Sequence, residues 1–422
     1  MTVRSAGSVV LALFLAGCFP ALPAVVPASV PTTVPDESTA TGADSTTSAP
    51  LPPVGEDFLQ FKGSADRRGR VAPAGLALPG VPEVAFRIAG DDWVTASALA
   101  RGDVVYVAGW DGRVRAVAAG DGRPRWEADL GTVDDPLCPW PYKPGGGTRR
   151  GVAATPALVE GRLVVAHADG RLEALDADTG KGLWRYRFPG GDGVALWASP
   201  LVLPARDDRG ARVVAASART CAARCERAVV AALDPATGAS VWTFSPVAAD
   251  GGGGGVLASP VHDARTDAVL VAFGDACPGA EPGLTKRLVA LDASSGAVRW
   301  TYPSLPDDPP VGEISSTPAV FSRGGCAGRV VAFLSQAGDL FLLDVETGRP
   351  VLPPLGVSGP TVGRLASSVV RTDDGLLVVG RSARGGGSHG VVALRECDLS
   401  EAWSQAFTGV GRTPLVVGET TY

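Results

Sequence analysis

One eleven-residue pattern recurs along this chain and constrains its fold more than any other feature. Ala174-Leu175-Asp176-Ala177-Asp178-Thr179-Gly180 leads to Trp184, Ala232-Leu233-Asp234-Pro235-Ala236-Thr237-Gly238 to Trp242, and Ala290-Leu291-Asp292-Ala293-Ser294-Ser295-Gly296 to Trp300. Leu342-Leu343-Asp344-Val345-Glu346-Thr347-Gly348 keeps the turn but has Val351 in place of tryptophan. Gly120-Asp121-Gly122 precedes Trp126, and Ala393-Leu394-Arg395-Glu396-Cys397-Asp398 precedes Trp403 without the turn. In each copy an alternating apolar run predicts a strand. The Asp-x-x-Thr-Gly stretch predicts a tight turn, because glycine takes a positive φ and the Asp and Thr side chains bond local backbone. A second strand then carries the tryptophan.

Two further elements precede each copy. One is a hairpin such as Leu163–Leu172, turned by Asp169-Gly170. The other is a small-residue opening: Ala96-Ser97-Ala98, Ala154-Thr155-Pro156, Ala198-Ser199-Pro200, Ala258-Ser259-Pro260, Ser316-Thr317-Pro318, Ala366-Ser367-Ser368 and Arg412-Thr413-Pro414. Small residues suit a crowded centre. One repeat is then four strands, A to D, and repetition at this period predicts an all-β propeller of four-stranded blades. Seven openings predict a seven-bladed design. The last opening is followed only by Leu415 to Tyr422, and Pro82–Ile88 reads as a D strand with Phe86 near the Trp position. The seventh blade is therefore expected to be incomplete, with residues 82–88 lacking a strand that bridges them to 413–417.

At this point the chain resembles the PQQ-like (pyrroloquinoline quinone-type) β-propeller repeat family, which includes quinoprotein dehydrogenases and BamB-type lipoproteins of outer-membrane assembly. The resemblance rests on the recurrent Ala-Leu-Asp-x-x-Thr-Gly-x-x-x-Trp and on an opening motif, Phe58 to Gly69, where Phe58 stands for a usual tryptophan. It covers about 57–422. It implies that Trp126, Trp184, Trp242, Trp300 and Trp403 dock one blade on the next rather than hold a cofactor.

Three domains are expected. Residues 1–17 carry Arg4 and then an apolar run from Val9 to Ala16, too short to span a bilayer and laid out as a secretory signal. Leu15-Ala16-Gly17-Cys18 is similar to a lipobox, so Cys18 is the expected lipidation site and the protein the expected guest of a membrane surface, in the periplasm or at the cell surface. Residues 18–56, rich in Pro, Thr and Ser, read as a disordered tether; residues 57–422 form the propeller. A net charge of −6 disfavours nucleic acid as a partner. Beyond Cys18, six cysteines remain, and an even number in an exported chain reads as disulfides. Cys138, Cys221, Cys225 and Cys277 fall on one face of a propeller and Cys326 and Cys397 on the other. Cys326–Cys397 is the expected pair there. The other four allow three connectivities, with Cys221–Cys225 favoured.

No catalytic or metal-binding set stands out. His167, His262 and His389 belong to different repeats, and zinc needs clustered ligands. The resemblance would imply adjacent cysteines and an acidic calcium site for a quinoprotein, and neither is legible. The expectation is a non-catalytic scaffold for envelope proteins, with no cofactor. The alternatives are a quinoprotein-like PQQ-dependent oxidoreductase and a small-ligand sensor. Any ligand would meet the residues just before the A strands: Asp92, Trp93, Arg150, Trp197, Glu313, Arg364 and Arg412. The loop from Asp134 to Arg150, with Trp140 and Tyr142, would cover that mouth.

Overall fold

The recurrent pattern becomes the outer half of a four-stranded antiparallel sheet. A computed structural model of the chain describes residues 59–62, 64–67, 70–71, 86–134, 149–190, 194–207, 209–219, 228–246, 255–274, 286–304, 308–309, 311, 314, 316–357, 368–381, 390–406, 416–417 and 420–421. Among them, six such sheets follow one another. In repeat one, strands A to D are Leu99–Arg101, Val104–Ala108, Arg113–Ala118 and Pro124–Asp129. Repeat two runs from Ala157–Val159 to Gly182–Arg187, repeat three from Leu201–Leu203 to Ser240–Phe244 and repeat four from Val261–Asp263 to Val298–Tyr302. Repeat five runs from Ala319–Ser322 to Leu355–Gly356 and repeat six from Val370–Arg371 to Glu401–Ala406. The middle strands are buried on both faces, as Val104–Ala108 and Ala268–Phe273 show: repeat four packs on repeats three and five, and repeat one on repeat two and on Phe86, Ile88 and Val94. Among the described residues, no helix is long and apolar enough to cross a membrane.

The turn chemistry is as the residues require. Asp176 Oδ1 accepts from the Thr179 hydroxyl at 2.7 Å and the Thr179 N–H at 2.8 Å, which holds its carboxyl below the usual range. Asp234, Asp292 and Asp344 repeat this cage. Just before the turn, the C–D ladder slips by one residue at the same alanine–leucine step in repeats two, three, four and six. The slip places alanine opposite each tryptophan, for example Ala290 opposite Trp300.

Tryptophan then joins one repeat to the next. Trp242 Nε1 donates to Ala293 O at 3.0 Å, and its ring lies flat on Gly296, where a Cβ would sit 2.6 Å from Cε3. Gly296 has a φ of +72°, so glycine is required there twice over. Trp126, Trp184 and Trp300 meet Gly180, Gly238 and Gly348 in the same way. Trp403 differs from the expectation. It is 39% exposed on the last D strand, and no glycine turn packs on its ring among the described residues. Phe86 takes the equivalent place over Gly122 of repeat one.

Between repeats five and six the joint changes. The structural register puts Leu352, and not Val351, in the tryptophan's place, and Leu399 stands at φ +59° where other turns have glycine. With no indole to receive, the turn can carry a side chain, and Leu399 is buried in a cluster with Val351, Leu352 and Leu355. Here Cys326, in the A–B hairpin of repeat five, is bonded to Cys397, in the C–D turn of repeat six, with 5.7 Å between Cα atoms. Glu396 beside it pairs with Arg371 at 2.7 Å and accepts from Gly324 N. The bridge closes a stretch of 71 residues. Cys397→Ser is expected to cost about 2–4 kcal/mol of stability, read as a lower urea midpoint; an unchanged midpoint would show that the apolar contacts alone hold this joint. Cys138, Cys221, Cys225 and Cys277, like Cys18, lie outside the described residues.

A belt of hydroxyls links the repeat openings. Ser97 N donates to Thr155 Oγ1, Thr155 N to Ser199 Oγ, Ser199 N to Ser259 Oγ, Ser259 N to Thr317 Oγ1 and Thr317 N to Ser368 Oγ, at 2.8–3.1 Å. In repeat six the belt uses Ser368. The small-residue triplets are thus explained by hydrogen bonding as well as crowding.

The opening motif lies across the inner A strands. Leu158 N, His262 N and Val320 N donate to Leu59 O, Ala65 O and Asp66 O, and Val202 N donates to Gln60 Oε1, at 2.7–3.1 Å. Each donor is the second residue of its A strand. One irregular segment therefore satisfies the same inner N–H in four successive repeats. A three-stranded sheet completes the described fold: Arg70–Val71 runs parallel to Val416–Val417, which pairs antiparallel with Thr420–Thr421. Among the described residues, the N-terminal strand that pairs with 416–417 is Arg70–Val71. Residues 86–88 carry no strand, and 82–85 and 413–415 lie outside the described residues.

Candidate functional site

Four of the seven expected rim residues can be located, and three of them meet through a side chain that the sequence reading did not single out. Trp93 precedes strand A of repeat one, Arg150 that of repeat two and Trp197 that of repeat three. Trp110, in the B–C turn of repeat one, lies between the two other indoles. Its ring centroid is 5.8 Å from that of Trp93 and 6.1 Å from that of Trp197. The Arg150 guanidinium sits over the Trp197 ring at 5.4 Å. The pre-A and B–C segments thus share one face, and their aromatic and cationic groups converge on it. Glu313, Arg364 and Arg412, and Trp140 and Tyr142, lie outside the described residues. The stem of their loop is seen: Val133–Asp134 pairs with Arg149–Arg150.

Local backbone sets each group. Trp93 N donates to Asp92 Oδ1 at 2.8 Å, so Asp92 fixes the bend that aims the indole. Trp110 N donates to Trp93 O, and Trp110 Nε1 donates to Thr95 Oγ1 at 2.7 Å. Gly109-Trp110-Asp111-Gly112 is the counterpart of His167-Ala168-Asp169-Gly170. A tryptophan where the next repeat has alanine was the available signal for Trp110. Its indole is 3% exposed, as is Arg150, whereas Trp93 and Trp197 are half-buried and form the accessible part of the cluster.

The two described histidines are structural. His167 is 1% exposed; Nε2 is 2.9 Å from Gly131 O and Nδ1 2.9 Å from Asp169 Oδ1, which ties repeat one to repeat two. Burial pushes the Asp169 carboxyl up, but His167 and Arg171 outweigh it and bring it down to about 2. Nε2 of His262 is 2.9 Å from Asp267, on the far side of the A strands, where burial holds the imidazole below its usual range. His389 lies outside the described residues.

A planar acidic quinone needs flat aromatic faces, a cation beside them and, in the calcium-dependent enzymes, a set of acidic ligands. The indoles and Arg150 fit the first two. Among the described residues, no group of three or more His, Cys, Asp or Glu side chains could hold a metal ion. The indoles and Arg150 suit a planar anion, and the described residues supply no set of metal ligands beside them.

Repeated four-stranded sheets and tryptophan docking define the chain as a PQQ-like β-propeller protein. The family model described as "Outer membrane protein assembly factor BamB" matches residues 110–405, more than half of the sequence, and the chain belongs to that family. It is 30% identical over 173 residues to the quinohemoprotein alcohol dehydrogenase of Comamonas testosteroni, a match that covers 38% of this chain and 21% of that enzyme. The matched stretch thus spans about a fifth of the enzyme's length. The solved structure of the Comamonas enzyme superposes with a TM-score of 0.65 at 18% identity, covering 86% of this chain and 68% of that one. BamB from Moraxella catarrhalis superposes at 0.53 with 19% identity, covering 79% and 83%.

These relatives correct two expectations. The sequence by itself points to a non-catalytic scaffold on the BamB branch, because neither adjacent cysteines nor a calcium motif is legible in it. The curated relatives it matches are quinoprotein alcohol, ethanol and glucose dehydrogenases, which are enzymes, and this overturns both the scaffold reading and the assignment as a non-enzyme. The resemblance to the PQQ-like propeller family holds, and the named relatives that the chain matches are quinoprotein dehydrogenases rather than BamB specifically.

Proposed function

We propose that this chain is a quinoprotein-like oxidoreductase whose mouth, at Trp93, Trp110, Trp197 and Arg150, receives a planar, negatively charged quinone. The observation that carries the reading is the convergence of three indoles and a buried guanidinium from three repeats on one face. Sequence likeness to quinone-dependent alcohol dehydrogenases supports the redox class. A bound quinone would supply two-electron acceptance. The chain's own part is to stack the ring on Trp197 and Trp93, to lend positive charge from Arg150 behind Trp197 and to exclude water behind the buried Trp110. We place the domain outside the cytoplasm, in keeping with the signal-like N-terminus, the Cys326–Cys397 bond and the family, with Cys18 as its lipid anchor; the name of the matched family makes envelope proteins a partner class.

Titration of the protein with pyrroloquinoline quinone, with and without calcium, tests this. Saturable quenching of tryptophan emission is expected, weakened at least tenfold by Trp197→Ala and by Arg150→Met, together with dye-linked oxidation of an alcohol or sugar. Those losses correspond to about 1.4 kcal/mol or more. Quinone binding that is unsaturable under both conditions, or unaffected by either variant, would overturn the proposal.

A further inference from the structure

Trp110 is the middle ring of the cluster, and its backbone is fixed before its side chain is. Trp110 N donates to Trp93 O at 2.8 Å, and Val152 N donates to Gly109 O at 2.9 Å, which ties the B–C turn of repeat one to the lead-in of repeat two. Gly151 presses on the same turn: a Cβ there would run into the backbone of Gly112 and lie 2.9 Å from Trp110 O. Rotation of the indole about its side-chain bonds is left to be set. Nε1 donates to Thr95 Oγ1 at 2.7 Å, and the Thr95 hydroxyl donates in turn to Ala153 O at 2.9 Å. One hydroxyl thus accepts and donates at once, as no apolar side chain can. Thr95 occupies the place that Ala153, Trp197 and Leu257 hold in repeats two, three and four, so the repeat itself does not call for a hydroxyl there. Thr95 is exposed, so core packing does not call for it either.

We propose, on the strength of the quinone reading above, that Thr95 is a positioning residue of the mouth: it holds the Trp110 indole in place and through it sets the affinity for the planar quinone. Trp110 lies at 59° to Trp93 and 45° to Trp197, so it is the wedge that spaces the two half-buried rings. Those two rings are the ones a flat ligand can reach. If the indole turns, its tilted contacts change on both sides, and the two faces no longer stand at the angle that a planar ring meets. Threonine suits the task because branching at Cβ restricts its first torsion, so the hydroxyl is aimed in advance. Without the hydroxyl, the N–H of a ring that is 3% exposed loses this acceptor. Thr95 acts through Trp110 and needs no contact with the quinone.

Thr95→Val keeps the branched shape and removes the hydroxyl. In the full chain it is expected to weaken pyrroloquinoline quinone binding by about three- to tenfold, with Thr95→Ser within about twofold of the parent. A second readout needs no quinone. With the indole nitrogens isotope-labelled, the Trp110 N–H resonance is identified by its loss in Trp110→Phe. It is expected to shift in Thr95→Val, together with those of Trp93 and Trp197, and to stay in place in Thr95→Ser. An unmoved Trp110 resonance in Thr95→Val would overturn the proposal. So would a quinone affinity unchanged beside a moved resonance, or a loss in Thr95→Ser as large as that in Thr95→Val. A parent chain that binds no quinone would defeat the proposed function and the effect on affinity with it, while the resonance alone tells whether Thr95 holds Trp110.

Discussion

Arg67→Met is expected to lower stability by about 3–5 kcal/mol, the largest effect of any single substitution considered. The guanidinium bonds three carbonyls, those of Phe61, Pro200 and Pro260, drawn from the opening segment and from the lead-ins to repeats three and four. Methionine fills the stem's space but strands all three acceptors, at about 1–3 kcal/mol for each buried group left unpaired. Part of that loss is offset, because burial already penalises the charge and brings the Arg67 guanidinium down to about 9. Lysine cannot substitute: a single ammonium does not present the planar fork that reaches carbonyls on three segments. Arg67→Lys should therefore fall close to Arg67→Met in urea unfolding. A change below about 0.5 kcal/mol in Arg67→Met would mean that the segment's backbone bonds alone hold it against the A strands.

Gly296→Ala is expected to cost about 2–5 kcal/mol, and the comparison with Gly161→Ala separates its two causes. Both glycines have positive φ, +72° and +75°, so both substitutions carry the left-handed penalty of about 1–2 kcal/mol. At Gly161 nothing lies within 4 Å of an added Cβ; at Gly296 the Trp242 ring lies 2.6 Å away. The excess at Gly296 is the cost of lifting an indole that is 7% exposed and bonded to Ala293 O. Tryptophan emission should shift to the red in Gly296→Ala and stay unchanged in Gly161→Ala. Equal costs at the two positions would show that the Trp–Gly contact does not join repeats three and four.

Most of the repeat was legible because it is local. The Asp-x-x-Thr-Gly turn is built from bonds within four residues, and strand alternation needs only the next strand. The docking tryptophans were legible through recurrence, save Trp403, whose ring on the D strand of repeat six meets no glycine turn among the described residues. Recurrence also hid things. Leu399 looks like decay of the turn, whereas it is buried with Leu352, the residue that stands where other repeats have the docking indole. The carbonyls that Lys62 and Arg67 bond were invisible, since Pro200, Pro260 and Val369 lie far along the chain.

The candidate site divides in the same way. Asp92, Trp93, Arg150 and Trp197 could be named from their place before each A strand, because the repeat register tells which residues lead into the centre. Trp110 could not, since its meaning depends on the neighbours to which two other repeats bring it. Sequence by itself determined the period, the turn, the strands and the residues that open each repeat, all consequences of near-neighbour sterics and hydrogen bonding. Only the tertiary structure decided which indoles touch, which strand reaches 416–417 and which carbonyls Lys62 and Arg67 bond, because those contacts join residues that chain order alone does not bring together.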